Sequence, residues 1–132
     1  MQALFRVFYV SAIVKPLADV EIQVILGAAQ IKNRRLDVTG LLAQSDAHFA
    51  QVIEGRREAI EVLLERISKD RRHRDVRVVL DEPIVRRQFG HWAMGLARRN
   101  DMAQEMRQLH EGVISDVATI RDTIARLLAP RE

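Results

Sequence analysis

The stretch Phe49-Ala50-Gln51-Val52-Ile53-Glu54-Gly55 decides how this chain is read. Its composition is that of a buried strand, yet a glutamine sits in the middle and Glu-Gly closes it. A carboxamide brings two donors and an acceptor oxygen. Leaving such a group buried without a partner costs roughly 1–3 kcal/mol. Gln51 therefore needs a partner, from elsewhere in the chain or from a bound polar ligand.

Working outward, residues 48–54 form one strand of a hairpin. The other is 38–44, where Gly40 suggests a close backbone approach, and Ser45-Asp46-Ala47 is the connection. Before the hairpin, residues 3–11 alternate between two apolar faces, with Phe5, Val7 and Tyr9 on one and Leu4, Phe8 and Val10 on the other. Such a strand is covered on both sides. A helix over 19–31 follows Pro16, with Ile22, Ile25, Leu26 and Ala29 on one face, and 33–37 reads as a polar loop. After the hairpin, a second helix runs to about Ser68 on Ile60, Leu63, Leu64 and Ile67. Then come a basic loop over 69–74, a strand through Val76, Val78 and Leu80, a turn at Pro83, and a fifth strand over 88–96 with Trp92 and Met94 on one face.

The order is β-α-β-β-α-β-β, an α+β, ferredoxin-like arrangement with two helices on one face of a single sheet. Its first and third strands are central neighbours. Tyr9 and Gln51 then fall side by side on the helix-covered face. Asn33 and Arg66 converge on the space between the helices. Residues 1–97 make up this core. The tail, 98–132, reads as two further helices and not as a separate domain. Asp101 is a cap for the first, which carries Met102, Met106 and Leu109. Gly112 separates it from the second, which carries Val117, Ile120, Ile124 and Leu127 or Leu128. These helices, or a dimer partner, can cover the second face of strand one. Their apolar stripe is also the expected partner surface.

The 132 residues suit one domain, with 48% hydrophobic and 30% charged residues. The absence of cysteine excludes disulfides and thiolate chemistry and fits a cytoplasmic protein. No apolar run approaches the ~20 residues that span a bilayer, so no membrane role is expected. The four histidines share no ligand spacing, and there is no phosphate loop or nucleophile elbow, so neither a metal site nor an enzyme is expected. The net charge is +3, densest at Arg71-Arg72-His73-Arg74, with Arg86-Arg87 and Arg98-Arg99 further on. Such clusters form a surface for nucleic acid or an anionic cofactor, or else a solvated loop. With four Phe, one Tyr and one Trp, none inside the cluster, a base-stacking platform is lacking and nucleic acid is disfavoured.

Taken together, five segments resemble the BLUF domain, a blue-light sensor that uses flavin. They are 8–11 (Phe-Tyr-Val-Ser), 33–42, 48–55, 70–76 and 89–95 (Phe-Gly-His-Trp-Ala-Met-Gly). The resemblance covers about residues 2–97 and is specific through the joint spacing of its motifs. It implies FAD as cofactor, with FMN or riboflavin as variants. It implies a photoactive pair, Tyr9 and Gln51, in which excitation drives electron and proton transfer from Tyr9 and rearranges the hydrogen bonds of Gln51.

The resemblance assigns Asn33 to the flavin ring edge, Ile25 and Ile67 to its two faces, and Arg66, Arg72 and His73 to the ring edge or phosphate side. Lys32 adjoins Asn33 where many relatives carry a second amide, and Ala29 stands where many carry serine. Trp92 and Met94 match a pair that passes the signal outward, with Ser11 near Trp92 in some members. Short members of this kind signal to a separate effector, such as a cyclic-dinucleotide enzyme or a transcription regulator, or change oligomer state, as a homodimer or larger. The alternative is a light-insensitive ferredoxin-like module that binds nucleic acid or an acidic partner through its basic loops.

Overall fold

The computed structural model describes residues 3–129, so residues 1–2 and 130–132 of the two expected segments lie outside the described residues. Five strands form one sheet: β1 (Leu4–Ile13), β2 (Thr39–Gln44), β3 (His48–Gly55), β4 (His73–Ile84) and β5 (Gly95–Arg98), in the order β4-β1-β3-β2-β5. The first four strands pair antiparallel, and β5 joins β2 in parallel. The crossover helices α1 (Asp19–Leu36) and α2 (Arg57–Ser68) join β1 to β2 and β3 to β4. This is the expected ferredoxin-like connection.

Strand alternation sorts the side chains into two cores. Val7, Leu42, Phe49 and Ile53 pack under α1 and α2 with Ile22, Ile60 and Leu63. Phe8, Val10, Leu41, Ala50 and Val52 point to the opposite face. There, helices α3 (Ala103–Glu111) and α4 (Val117–Leu128) bury Met106, Leu109, Ile120, Ile124 and Leu127 against them. Strand β1 is thus covered by its own chain. The apolar stripe of the terminal helices is core, which removes it as the expected partner surface; only Val117 of the residues assigned to it stays exposed.

Four expected boundaries differ. The polar run 33–37 is the last turn of α1 with its cap and not a loop: Arg34 and Arg35 lie on the exposed face of the helix, while Asn33 is buried. Asp37, at φ 55°, closes the helix by donating its N–H to the Arg34 carbonyl, while the Val38 N–H reaches the Asn33 carbonyl at 2.8 Å. Strand β4 begins at His73 and runs through Pro83, which an edge strand tolerates because the missing N–H leaves no ladder gap on its outer side. Asp101 sits in a short 3-10 turn, Asn100–Met102, where its carboxylate holds Arg99 at 3.1 Å, and Met102 occupies the cap of α3. Asp116 is the side-chain cap, accepting the Thr119 N–H at 2.9 Å to start α4.

The fifth strand starts seven residues later than expected, at Gly95 rather than residue 88. Side chains occupy the backbone groups that a ladder would use. The Glu54 carboxylate accepts the N–H groups of Gln88 and Phe89 at 3.1 and 2.9 Å. Asn33 and Gln30 donate to the carbonyls of Ala93 and Met94 at 2.7 and 3.1 Å. Glu54 itself is fully buried and held by the Arg6 guanidinium at 2.8 Å. Gly40 is required by close approach: a Cβ there would lie 2.0 Å from the Val52 carbonyl oxygen. No helix among the described residues is long and apolar enough to cross a membrane.

Candidate functional site

A cleft enclosing about 780 Å³, part of it open to solvent, lies between α1 and α2 above β1 and β3. All nine residues assigned from the sequence to a cofactor line it: Tyr9, Ile25, Lys32, Asn33, Gln51, Arg66, Ile67, Arg72 and His73. Helix periodicity explains the walls. Ile25, Ala29 and Asn33 recur every four residues along α1, and Leu63, Arg66 and Ile67 share one face of α2.

The floor is set by register. Tyr9 is directly opposite Gln51, so their side chains leave the sheet together. The Tyr9 hydroxyl donates to Gln51 Oε1 in a buried hydrogen bond. On its other side, Gln51 Nε2 donates to the Met94 sulfur at 3.3 Å, a weak acceptor. One N–H and one lone pair of the carboxamide remain for a ligand. Burial, with the Asp70 carboxylate adding to it, pushes the Tyr9 phenol far above its ordinary value. Tyr9 therefore keeps its proton and acts as a donor.

At one end of the cleft, His73 Nε2 bonds the Ile67 carbonyl at 2.6 Å and Nδ1 meets the Ser11 hydroxyl at 2.7 Å. A carbonyl only accepts, so Nε2 carries a proton and donates it to Ile67, which fixes the ring with Nδ1 towards the Ser11 hydroxyl. Arg72 is locked by Asp70, with its Nε and Nη2 donating at 2.9 and 2.7 Å. The Arg72 hydrogen bond holds the Asp70 carboxyl below the usual carboxylate range. Lys32 and Arg66 have no ion-pair partner among the described residues. The basic run 71–74 is thus divided: Arg72 and His73 serve the cleft, while Arg71 and Arg74 face solvent. Arg99 is also removed from the charged surface, for it is buried and donates to the Leu127 carbonyl at 2.8 Å, tying down the end of α4.

The relay residues separate. Met94 is buried and touches Gln51, whereas Trp92 is half exposed, stacks on Phe89 and accepts the Gly40 N–H through its carbonyl. Neither lies on a strand, because the loop before β5 is held by side chains. Ser11 does not accompany Trp92. Ser11 is paired with Phe49, and Gly40 with Ile53, four residues further along β3. Asp70, Leu42, Leu63 and Gln30 were not assigned from the sequence. Two of them carry a local signal, Asp70 by its place two residues before Arg72 and Leu63 by sharing the apolar stripe of Ile67.

The family model described as sensors of blue-light using FAD matches residues 4–95. The solved dark-state structure of BlrB, a BLUF protein, has a TM-score of 0.75 and 35% identity, covering 97% of this chain and 99% of that one. Photoactivated adenylate cyclase subunit alpha of Euglena gracilis is 35% identical over 96 residues, 67% of this chain and 9% of that protein. The blue light- and temperature-regulated antirepressor BluF of Escherichia coli (strain K12) is 32% identical over 76 residues, 58% of this chain and 19% of that protein. This chain thus spans only a small part of these two curated relatives. With the match running from β1 to the start of β5 and enclosing the whole cleft, the chain belongs to the BLUF family of blue-light sensors that use flavin.

Proposed function

We propose that the cleft between α1 and α2 holds the flavin of this sensor and that Gln51 is where light is converted into a change of structure. The observation that carries this is the line Tyr9–Gln51–Met94, which joins an oxidisable phenol to the loop before β5 through one carboxamide. The residues suit the group. Ile25 and Ile67 offer aliphatic walls, Asn33 and Gln51 offer amides, and Lys32 and Arg66, without an ion-pair partner among the described residues, offer cations for a phosphate.

When bound, an excited flavin is a strong oxidant. Tyr9 is the electron and proton donor in this reading, and its proton already lies along the bond to Gln51 Oε1. A carboxamide can donate or accept, so its reversal presents a donor to Tyr9 in place of an acceptor and an acceptor to Met94 in place of a donor. In a buried setting such an exchange is worth more than in water. Arg72, preset by Asp70, and His73, preset by Ser11, are positioned without reorganisation.

The cations at the cleft favour FAD or FMN over riboflavin. The unit 1–97 is read as the sensing core and 98–132 as its extension, since α3 and α4 pack on the sheet. The output is read as a separate effector in the cytoplasm, a cyclic-dinucleotide enzyme or a transcription regulator, and the protein itself as having no turnover. The antirepressor relative supports the second kind of effector.

The test is the absorption spectrum of the purified chain before and after blue light. A bound flavin whose band shifts reversibly is expected. A chain that stays colourless after reconstitution with FAD, FMN and riboflavin would sink the reading. Effector capture in light and in darkness then identifies the output.

A further inference from the structure

Helix α1 has a second apolar face that the cleft does not use. Val20, Val24, Gly27 and Ile31 are spaced four, three and four residues apart. At about 100° per residue they fall within an arc of about 60°. Val20, Val24 and Ile31 are 69%, 61% and 53% exposed, and no other helix or strand carries more than one exposed large apolar side chain among the described residues. A Cβ built on Gly27 meets no described residue within 4 Å, so none of the described residues demands glycine there. None of the four lines the cleft, whose wall is made by Ile25, Ala29 and Asn33 on the other side of the helix. Valine and glycine are poor choices for a solvent-facing helix, whereas this spacing is that of a helix-pairing seam.

The spacing also states how a partner lies. It reads the same in both directions. Two copies running antiparallel set Val20 against Ile31 and Val24 against Gly27, where the missing side chain admits the valine. The charges agree. Asp19 and Glu21 mark the start of the helix, and Lys32, Arg34 and Arg35 its last turns. The acids already have local roles, Asp19 with Arg98 at 2.8 Å and Glu21 with the Ala18 N–H at 3.1 Å. They remain exposed, and the three cations have no ion-pair partner among the described residues. Antiparallel pairing places acid over base at both ends and opposes the helix dipoles; parallel pairing places like over like.

We propose that α1 is a docking surface for a second copy of this chain, forming a two-fold symmetric, antiparallel helix pair across Val20, Val24, Gly27 and Ile31. The interface is isologous, as a two-fold axis requires. One helix pair is smaller than the standard ~1,600 Å² interface, so the dimer dissociates at micromolar concentration. Ala28 and Lys32 flank the seam and also line the cleft, so the dimer would abut the sensing site. The proposal stands independently of the flavin reading.

Sedimentation equilibrium of the full chain across roughly 5–200 µM tests it. A concentration-dependent rise from the 15.1 kDa monomer toward twice that mass is expected. Val24→Glu, and separately Ile31→Lys, should weaken association at least about tenfold while circular dichroism stays unchanged. Because the chain has no cysteine, orientation can be read by cross-linking. Val20→Cys chains mixed with Ile31→Cys chains should form a mixed disulfide, and Val20→Cys chains alone should not. A monomer at every concentration, a dimer indifferent to both charged variants, or self-cross-linking of Val20→Cys would each overturn the proposal.

Discussion

Replacing Glu54 by glutamine should be among the most damaging isosteric changes in this protein. The carboxylate is fully buried and serves three partners. Arg6 reaches Oε2 through Nε and Nη2 at 2.9 and 2.8 Å, and the N–H groups of Gln88 and Phe89 reach Oε2 and Oε1 at 3.1 and 2.9 Å. All of these partners are donors. Whichever way the introduced amide turns, its NH₂ faces either the guanidinium or a backbone N–H, and the charge is lost as well.

Hydrogen bonds to a charged group contribute roughly 1.5–3 kcal/mol each, and breaking a buried pair costs about 3–5 kcal/mol. Arg6 keeps Glu82 at 3.3 Å and some solvent contact, which pulls the loss to the lower end. We expect about 3 kcal/mol, at the bottom of that range. For a chain of this size that is a fall in Tm of roughly 10 °C. Because the lost bonds pin the loop before β5, amide exchange at Gln88 and Phe89 should accelerate about a hundredfold. Thermal melts and NMR-detected exchange read the two effects. A Glu54→Gln protein melting within about 2 °C of the parent (roughly half a kcal/mol) with unaltered protection at both amides would refute the account.

Tyr9→Phe should still fold and bind flavin, at a cost of about 1–2 kcal/mol for the unpaired Gln51 oxygen; its light-minus-dark spectrum should be flat, and a normal photocycle would refute the role given to Tyr9. Gln51→Leu, which has no polar atom to exchange, should likewise bind flavin without a red-shifted product. Gly40→Ala drives a methyl into the Val52 carbonyl and should cost at least ~3 kcal/mol by chemical denaturation. His48 should make stability pH-dependent. Burial, then the facing His110, with Arg107 adding and Glu111 opposing, holds its pKa below the ordinary 6.5. The unfolded chain then binds the proton more readily, so stability is complete above 6.5 and is lost as pH falls through the folded value. Tm measured from about pH 7 to 5 should decline less steeply in His48→Gln.

Much of this protein follows from local pattern. Period-two alternation in 3–11 and 48–54, with the β-α-β-β order, was enough to set Tyr9 beside Gln51, because side-chain facing in a strand depends only on parity and topology. The apolar stripes of α2 and the terminal helices were readable for the same reason. What parity cannot say is what lies across a gap. Arg72 and Arg71 are neighbours in sequence, and only the fold gives one to Asp70 and the cleft and the other to water. Met94 and Trp92 look equivalent, two apart in an apolar run. Only the tertiary structure buries one on Gln51 and leaves the other half exposed. The deciding groups are distant: Glu54, Asn33 and Gln30 take up the backbone of 88–94 and prevent a strand whose composition was adequate. Hydrogen bonds between residues tens of positions apart leave no periodic trace in the sequence, and Tyr9–Gln51, Gln51–Met94 and Ser11–His73 are all of that kind.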